Sequence, residues 1–348
     1  MKKIIVGLAL GNLLGINLAH TCTRATYLGP ENTVITARSM DWARDVGTNL
    51  WLFPRGLKRE GSAGPKSISW TSKYGSVAAS FYDVAIADGM NEKALVANLL
   101  YLVESEYPKP TKNEKRLPLG IAVWAQYILD NFATVEEAVK ALEKEPFYVV
   151  PVQTPDNEAG TAHLAISDAS GDSAIIEYLK GKLAIHHGRQ YQVMTNSPSY
   201  DQQLALDAYW QQIGGMTMLP GTARAADRFA RASFYIKSAP QTADNQEAIA
   251  AVFSVIRNAS TPMGVSEPGK PNIAPTLWRT VSDQKNKRYY FESIKSLNIF
   301  WIDLADLNFT AGAPIKKLAL GKNNTYSQNA SDKFQNSKDI KFLSSPSN

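Results

Sequence analysis

Segments with strand patterns and segments with helix patterns occur in alternating blocks along this chain. Residues 23–101 and 162–195 carry short alternating or continuous apolar runs, which are typical of strands. Residues 121–142 and 202–255 carry apolar residues at helical spacing, and further strand-like runs follow at 276–304. Strands, helices, strands and helices in this order favour an α+β fold in which two antiparallel sheets stack between helical layers.

Local signals predict several element boundaries. The runs 23–28 and 33–38 flank a Gly-Pro turn and predict a hairpin, and the runs 49–53 and 68–74 predict a second hairpin-like pair. The segment Thr134-Val135-Glu136-Glu137 has the pattern of a capping box, which predicts that a helix begins there and continues through residue 142.

The chain shows no internal repeat and no clear linker, so one large domain is expected. We predict a leader at residues 1–21, a catalytic domain at 22–320 and a flexible polar tail at 321–348. The tail prediction comes from composition, because Asn, Ser and Lys dominate after residue 321.

The first 21 residues have the pattern of a secretory signal peptide. Lys2 and Lys3 precede an apolar stretch at 4–18, and Ala19-His20-Thr21 forms a short cleavage neck. The apolar stretch is short and interrupted by Gly and Asn, so stable membrane insertion is not expected. The pattern predicts export, with a periplasmic or secreted mature protein.

Cys22 is the sole cysteine of the chain, and cleavage after Thr21 would make it the first residue. Its thiol and free α-amine would have ordinary pKa values of about 8.5 and about 7.7–8.0, close enough to neutrality for a nucleophile and its own base. This predicts a hydrolase with an N-terminal nucleophile. A lipid-carrying cysteine and an unimportant thiol are the alternatives.

Composition argues against several other classes of function. The formal net charge is +5, which falls by two without Lys2 and Lys3, and the basic residues are scattered, so nucleic-acid binding is not expected. One cysteine excludes an intrachain disulfide. No Cys/His spacing suggests a metal site and no glycine loop suggests a phosphate site, so we expect no metal and no cofactor.

Several short motifs occur in an order that resembles the choloylglycine hydrolase family, which contains penicillin V acylases and conjugated bile-salt hydrolases. The resemblance extends from Cys22 to about residue 307. The motifs are Cys22-Thr23-Arg24, Ala37-Arg38-Ser39-Met40-Asp41-Trp42, Asp88-Gly89-Met90-Asn91-Glu92, Thr195-Asn196-Ser197-Pro198, Asp227-Arg228-Phe229, Thr276-Leu277-Trp278 and Tyr289-Tyr290-Phe291-Glu292-Ser293. The resemblance implies an αββα four-layer sandwich, assembled as a homotetramer.

The resemblance also implies roles for three residues at the start of the domain. Cys22 would attack an amide carbonyl while its own amine carries the proton. Arg38 would lie beside the thiol and favour thiolate, although a strand arginine is often only a surface residue. Asp41 would position the α-amine, with a turn or cap as its alternative role.

Three later residues match the family pattern as well. Asn196 would donate to the oxyanion, an interaction that can contribute about 2.7–4 kcal/mol, and it can also simply end a strand before Pro198. Asn98 lies where a second oxyanion donor often occurs, through its side chain or its backbone N–H. Arg228 would lie near the thiol, with a solvated helix arginine as the alternative.

The remaining histidines are not expected to be catalytic. His163, His186 and His187 could suggest a Cys-His dyad, but a histidine in an alternating strand is more often structural, and the resemblance implies no catalytic histidine.

The predicted reaction is hydrolysis of a small N-acyl amide through a thioester. Met40, Trp42, Tyr82 and Tyr101 are the candidate substrate-binding residues. The segment 49–54 and the leader resemble the exported Gram-negative branch of the family, so penicillin V or an N-acyl-homoserine lactone is the first candidate substrate. A conjugated bile salt is the second. An inactive exported or lipid-anchored binding protein is the alternative from another class.

Overall fold

The computed structural model describes residues 22–157, 159–265, 274–321 and 324–345. The predicted leader at residues 1–21 lies outside the described residues. Two large sheets and five α-helices organise the described part of the chain. Strands and helices are numbered in chain order.

The first large sheet holds the start of the domain. Within the described residues it has seven strands in the order β16-β1-β2-β17-β18-β19-β21. All neighbours are antiparallel except the β19–β21 pair. The strands are β1 (Thr23–Leu28), β2 (Val34–Asp41), β16 (Val193–Met194), β17 (Thr276–Asp283), β18 (Arg288–Ser293), β19 (Ile299–Asp303) and β21 (Gln328–Asn329).

The second large sheet is antiparallel throughout. Its nine strands within the described residues follow the order β15-β14-β13-β8-β7-β6-β3-β20-β22. They are β3 (Leu50–Phe53), β6 (Ser76–Phe81), β7 (Ala85–Asn91), β8 (Val96–Tyr101), β13 (Ala162–Ser167), β14 (Ser173–Leu179), β15 (Lys182–His187), β20 (Lys316–Leu318) and β22 (Gln335–Asn336). Three small pairs complete the strands: β4 (Lys58–Glu60) with β5 (Ser69–Thr71), β9 (Leu117–Gly120) with β10 (Phe147–Val150), and β11 (Val152–Gln153) with β12 (Ala159–Gly160).

The helices cover the outer faces of both sheets. They are α1 (Trp124–Asn131), α2 (Val135–Leu142), α3 (Tyr200–Ile213), α4 (Ala225–Ser238) and α5 (Asn245–Asn258). Helices α1 and α2 pack on the nine-stranded sheet, α4 and α5 pack on the seven-stranded sheet, and α3 packs on α4. This αββα sandwich confirms the predicted fold class.

The helix boundaries agree with the sequence signals that predicted them. Thr134 accepts a hydrogen bond from the Glu137 backbone N–H at the start of α2, as a capping box requires.

Helix α1 can approach β7 closely because Gly89 has no side chain there: a Cβ would lie 2.8 Å from Leu129 Cδ1 and 2.8 Å from the Val77 carbonyl oxygen.

Polar side chains join the two sheets where they face each other. Thr36 on β2 lies 2.8 Å from Ser167 on β13 and donates to Gln284 at 2.7 Å. All three side chains are buried. Even-numbered residues of β2 therefore face the second sheet, and this alternation directs Arg38 and Met40 toward the same interior.

The predicted pairing of residues 49–53 with 68–74 is wrong. These segments do not pair: β3 pairs with β6 and β20, whereas β5 pairs with β4. Both segments have strand patterns, but strand partners are set by packing of the whole sheet rather than by proximity along the chain.

The predicted flexible tail is also corrected by the structure. Residues 324–345 add β21 to one sheet and β22 to the other, and Ala330, Phe334 and Ile340 are buried. The polar composition concealed a few widely spaced apolar anchors, and these are sufficient to pack the segment.

Candidate active site

Cys22 lies immediately before β1, and its side chain is buried between the two sheets. It is 2% exposed. Its Sγ lies 3.7 Å from Nη2 of Arg38 and 3.9 Å from Sδ of Met40, both on the neighbouring strand β2. The pairing of β1 with β2 therefore places a guanidinium beside the thiol.

Three contacts fix the Arg38 side chain in the interior. Its Nη1 donates to the carbonyl of Ala87 at 3.1 Å, and its Nη2 donates to the carbonyl of Leu99 at 3.0 Å. The guanidinium also lies over the Trp278 ring, 4.8 Å from the ring centroid. Because carbonyl oxygens are neutral acceptors, these bonds orient Arg38 without neutralising its charge.

Burial and charge act in opposite directions on the Cys22 thiol. Burial raises the pKa of Cys22 above its ordinary value and is the largest effect, while the charge of Arg38 lowers it. In the chain that still carries residue 21, the thiol form is therefore favoured.

Asp41 is a buried carboxyl group at the end of β2. Burial raises its pKa to about 6, against the lowering influence of Arg228 and the hydrogen bond from Thr276 Oγ1. That bond is 2.6 Å long and goes to Oδ1, and Nη1 of Arg228 lies 3.8 Å from Oδ2. Among the described residues, Oδ2 has no hydrogen-bond partner.

Asn196 and Arg228 meet at the backbone of Cys22. The Cys22 N–H donates to Oδ1 of Asn196, and Nη2 of Arg228 donates to the same oxygen at 3.0 Å. Nη1 of Arg228 donates to the Cys22 carbonyl at 2.6 Å. Nδ2 of Asn196 donates one of its two hydrogens to the Tyr101 carbonyl at 2.6 Å, so the other hydrogen remains for a second acceptor.

The structure thus brings together five of the six residues that the sequence predicts as catalytic: Cys22, Arg38, Asp41, Asn196 and Arg228. Among the described residues, no hydrogen bond joins the sixth, Asn98, to Cys22; its Nδ2 donates to Asp88, with which it is paired across β7 and β8. Asp88 also accepts a hydrogen bond from the hydroxyl of Tyr289.

A pocket lined by Cys22 opens to solvent. Its walls are mostly apolar, and Arg38 is the charged side chain that lines it. The other residues that line it are Met40, Trp42, Phe81, Ala85, Ile86, Ala87, Leu99, Leu100, Tyr101, Ile121, Ala122, Val152, Thr154, Gly160, Thr161 and Ala162. A pocket of this polarity suits an apolar acyl group.

Three of the four predicted substrate-binding residues line this pocket: Met40, Trp42 and Tyr101. The fourth, Tyr82, does not line it, and its hydroxyl donates to the carboxylate of Asp156 instead. Sequence reasoning missed most of the apolar wall, because these residues come from strands and loops that are far apart in the chain.

Both ring nitrogens of His163 are engaged by Glu177 and Thr195, in agreement with the structural role predicted for it. No group of three or more metal-ligating side chains occurs within the described ranges. No helix in the described part of the chain is long and apolar enough to cross a membrane.

Comparison with known proteins places this chain in a family. The model of the choloylglycine hydrolase family of linear amide C–N hydrolases matches residues 22–317. This chain belongs to the choloylglycine hydrolase family. It is therefore a hydrolase that acts on linear amide C–N bonds.

Individual relatives agree with the family assignment. A penicillin V acylase from Pectobacterium atrosepticum is 53% identical, over 98% of this chain and 97% of the relative. A bile salt hydrolase/transferase from Clostridium perfringens is 25% identical, over 81% of this chain and 92% of the relative. The solved structure of penicillin V acylase from Agrobacterium tumefaciens has a TM-score of 0.87 at 59% identity, covering 93% of this chain and 100% of that one.

Proposed function

We propose that Cys22 becomes the first residue of the mature enzyme and is the nucleophile that cleaves the amide. The observation that carries this proposal is the position of Cys22, which is buried, places its Sγ beside Arg38 and lines the apolar pocket. The match to the family model also begins at residue 22.

Removal of residues 1–21 would change the chemistry at the Cys22 nitrogen. The peptide N–H that now faces Asn196 would become an amine able to accept the thiol proton. Asp41 Oδ2 is an acceptor that the described residues leave without a donor, and it lies beside the arginine that binds the Cys22 carbonyl. A carboxylate there would orient the amine.

The reaction then has two steps. The thiol adds to the amide carbonyl carbon as its proton moves to the α-amine, and the remaining Nδ2 hydrogen of Asn196 stabilises the oxyanion. The leaving nitrogen takes that proton and departs, which forms the thioester. Water then adds to the thioester and releases the carboxylic acid and the free thiol.

The pocket supports an aromatic or straight-chain acyl group as the substrate's acid part. Trp42, Phe81 and Tyr101 supply aromatic walls and Leu99 and Val152 supply aliphatic ones. Two of the relatives, at 53% and 59% identity, are named penicillin V acylases. We therefore rank penicillin V and long-chain N-acyl-homoserine lactones first and conjugated bile salts second.

Export and assembly belong to the same proposal. The composition of residues 1–21 supports export to the periplasm or beyond, and the family resemblance supports a homotetramer. Mass spectrometry of the mature N-terminus and light scattering of the purified protein test these two points.

The decisive experiment compares the wild type with Cys22→Ser on three substrates: penicillin V, an N-acyl-homoserine lactone and glycocholate. We expect a mature chain that starts at residue 22, and a loss of activity in the variant of at least about 10³-fold. Full activity in Cys22→Ser would exclude the Cys22 thiol as the nucleophile. Turnover of glycocholate alone would reverse the ranking of substrates.

A further inference from the structure

A fully buried acid–base pair that the proposed reaction does not use lies next to the site. Nδ1 of His163 on β13 is 2.9 Å from Oε1 of Glu177 on β14. Nε2 of His163 is 2.7 Å from the carbonyl oxygen of Thr195. Both side chains are 0% exposed.

The partners of the pair determine where its hydrogens are. A carbonyl oxygen only accepts, so Nε2 of His163 carries a hydrogen that it donates to Thr195. A second hydrogen lies between Nδ1 and the carboxyl group of Glu177, because otherwise a ring lone pair would face a carboxylate. The pair therefore holds two hydrogens and has no net charge.

The pair holds the backbone on both sides of Asn196. His163 binds the carbonyl of Thr195, one residue before it. Glu177 accepts the backbone N–H of Tyr200, the first residue of α3, at 3.1 Å from Oε2 and 3.2 Å from Oε1. A carboxylate is favourable at this end of a helix, where unpaired N–H groups point outward.

A third buried side chain holds the same turn. Oε1 of Gln203 accepts from Oγ1 of Thr195 at 2.9 Å, and its Nε2 donates to the carbonyls of Asn196 and Pro198. The backbone around Asn196 is therefore fixed by side chains from β13, β14 and α3, and none of these three described side chains forms a hydrogen bond with Cys22.

We propose that His163 and Glu177 are positioning residues: they hold the backbone at Asn196 so that its side chain stays beside the Cys22 nitrogen. This inference rests on the roles proposed above for Cys22 and Asn196. Asn196 must place one oxygen at the Cys22 nitrogen and one N–H at the oxyanion, and a displacement of about 1 Å can reduce a rate by about 10²-fold. The hydrogen bond from His163 to the Thr195 carbonyl fixes the backbone one residue before Asn196 and so fixes the position of its side chain.

Two substitutions of His163 separate its two hydrogen bonds. The amide nitrogen of asparagine superposes on Nδ1, so His163→Asn keeps the bond to Glu177 and loses the bond to Thr195. The amide nitrogen of glutamine superposes on Nε2, so His163→Gln keeps the bond to Thr195. We expect kcat on penicillin V to fall by about 10- to 100-fold in His163→Asn and by less than about threefold in His163→Gln, with KM nearly unchanged in both.

Glu177→Gln is the conservative rescue. Its Nε2 can donate to Nδ1 of a neutral His163, and its Oε1 can still accept from the Tyr200 N–H. The bond to His163 and one of the two contacts with the Tyr200 N–H survive without a buried charge, so we expect kcat within about threefold of wild type. Glu177→Ala removes both bonds and should reduce kcat as His163→Asn does.

Alkylation of Cys22 by iodoacetamide separates positioning from general damage. Because Cys22 is the sole cysteine, its labelling rate reports thiol reactivity directly. We expect the labelling rate to change much less than kcat in all four variants, since Asn196 contacts the Cys22 nitrogen and the oxyanion but not the thiol itself. Equal kcat losses in His163→Asn and His163→Gln, or labelling that falls in parallel with kcat, would overturn the inference.

Asn196→Ala distinguishes failure of this inference from failure of the proposed function. If Asn196→Ala keeps full activity, the proposed role of Asn196 is wrong and the positioning inference is overturned with it. If Asn196→Ala is inactive while His163→Asn keeps a normal kcat, the positioning inference alone is wrong.

Discussion

At the scale of single residues, two buried arginines supply positive charge beside Cys22, and they differ in what surrounds them. Arg38 donates to the carbonyls of Ala87 and Leu99, which satisfy its N–H groups and leave its charge in place. Arg228 donates to the carbonyls of Cys22 and Ala223, and it also lies 3.8 Å from the carboxyl group of Asp41. A thiolate that forms at Cys22 is therefore stabilised mainly by Arg38, because part of the Arg228 charge is offset by Asp41.

The charge of Arg38 should control the reactivity of the Cys22 thiol. Arg38→Gln removes a charge that lowers the pKa of the thiol, so we expect alkylation by iodoacetamide near pH 7 to be about tenfold slower. Arg38→Lys keeps the charge and should retain most of the rate. Equal rates in the two variants would show that hydrogen bonding, not charge, is the contribution of Arg38.

Asp41 should make the stability of the chain that retains residue 21 depend on pH. Its folded pKa of about 6 exceeds its ordinary value of 3.8, so the folded state binds the proton more tightly. The associated stability is present below about pH 4 and is lost as the pH rises through about 6, a change of roughly 3 kcal/mol.

Urea denaturation between about pH 4 and pH 7.5 measures this effect. Asp41→Asn should remove only the Asp41 contribution, because burial also raises the pKa of Asp130, a separate carboxyl group near Arg59, to about 6. Asp130→Asn should remove that second contribution and leave the Asp41 contribution intact. Parallel pH curves for the wild type and Asp41→Asn would contradict the prediction.

At the scale of elements, the β11–β12 hairpin forms part of the pocket wall, and Asp156 anchors it. Val152, Thr154, Gly160 and Thr161 line the pocket from this segment. Between its strands, Asp156 accepts hydrogen bonds from Trp42 Nε1 at 3.4 Å, from Arg44 at 3.1 Å and from the hydroxyl of Tyr82. Tyr82 thus contributes to the pocket by anchoring its wall.

Loss of this anchor should weaken substrate binding more than catalysis. We expect Asp156→Ala to raise KM for penicillin V by about three- to tenfold, in line with the loss of a partly exposed charge-assisted contact, and to change kcat by less than about twofold. Asp45→Ala, at a surface aspartate paired with Lys295, is the matched control and should behave as wild type. A fall in kcat with constant KM would place Asp156 in the chemical step.

At the scale of the whole molecule, the C-terminal segment connects the two cores. Phe334 belongs to the core that includes residues of both sheets, α4 and α5. Ile340 belongs to the core formed by the nine-stranded sheet with α1 and α2. The Leu343 N–H also donates to the Val84 carbonyl at 2.7 Å. A segment that appears unstructured by composition thus covers an edge of each sheet.

Truncation of these anchors should lower the stability of the entire domain. We expect Phe334→Ala to cost about 3–5 kcal/mol and Ile340→Ala about 2–5 kcal/mol in the free energy of unfolding, by loss of burial and creation of a cavity. Chemical denaturation measures both. Lys341→Ala, at an exposed residue, is the control, and a cost below about 1 kcal/mol in both core variants would contradict tight packing of the segment.

The sequence alone determined the elements whose signals are local and the fold class that follows from their order. The capping box at Thr134, the turn between β1 and β2, and the motifs around Cys22, Asp41 and Asn196 all lie within a few residues of the structures or roles that they predict. Such signals depend on short-range backbone geometry and on side-chain spacing, and both can be read from residues that are close together in the sequence.

The meeting of groups that are distant in sequence could be read only from the folded chain. There β3 pairs with β6, Asn98 donates to Asp88, Tyr82 donates to Asp156, the C-terminal segment packs against both sheets, and His163 binds the carbonyl of the residue before Asn196. Each of these depends on strand register and on hydrogen bonds between buried polar groups far apart in sequence. Their partners are fixed only when the sheets stack, because each buried donor must then find an acceptor among the groups that packing brings within reach.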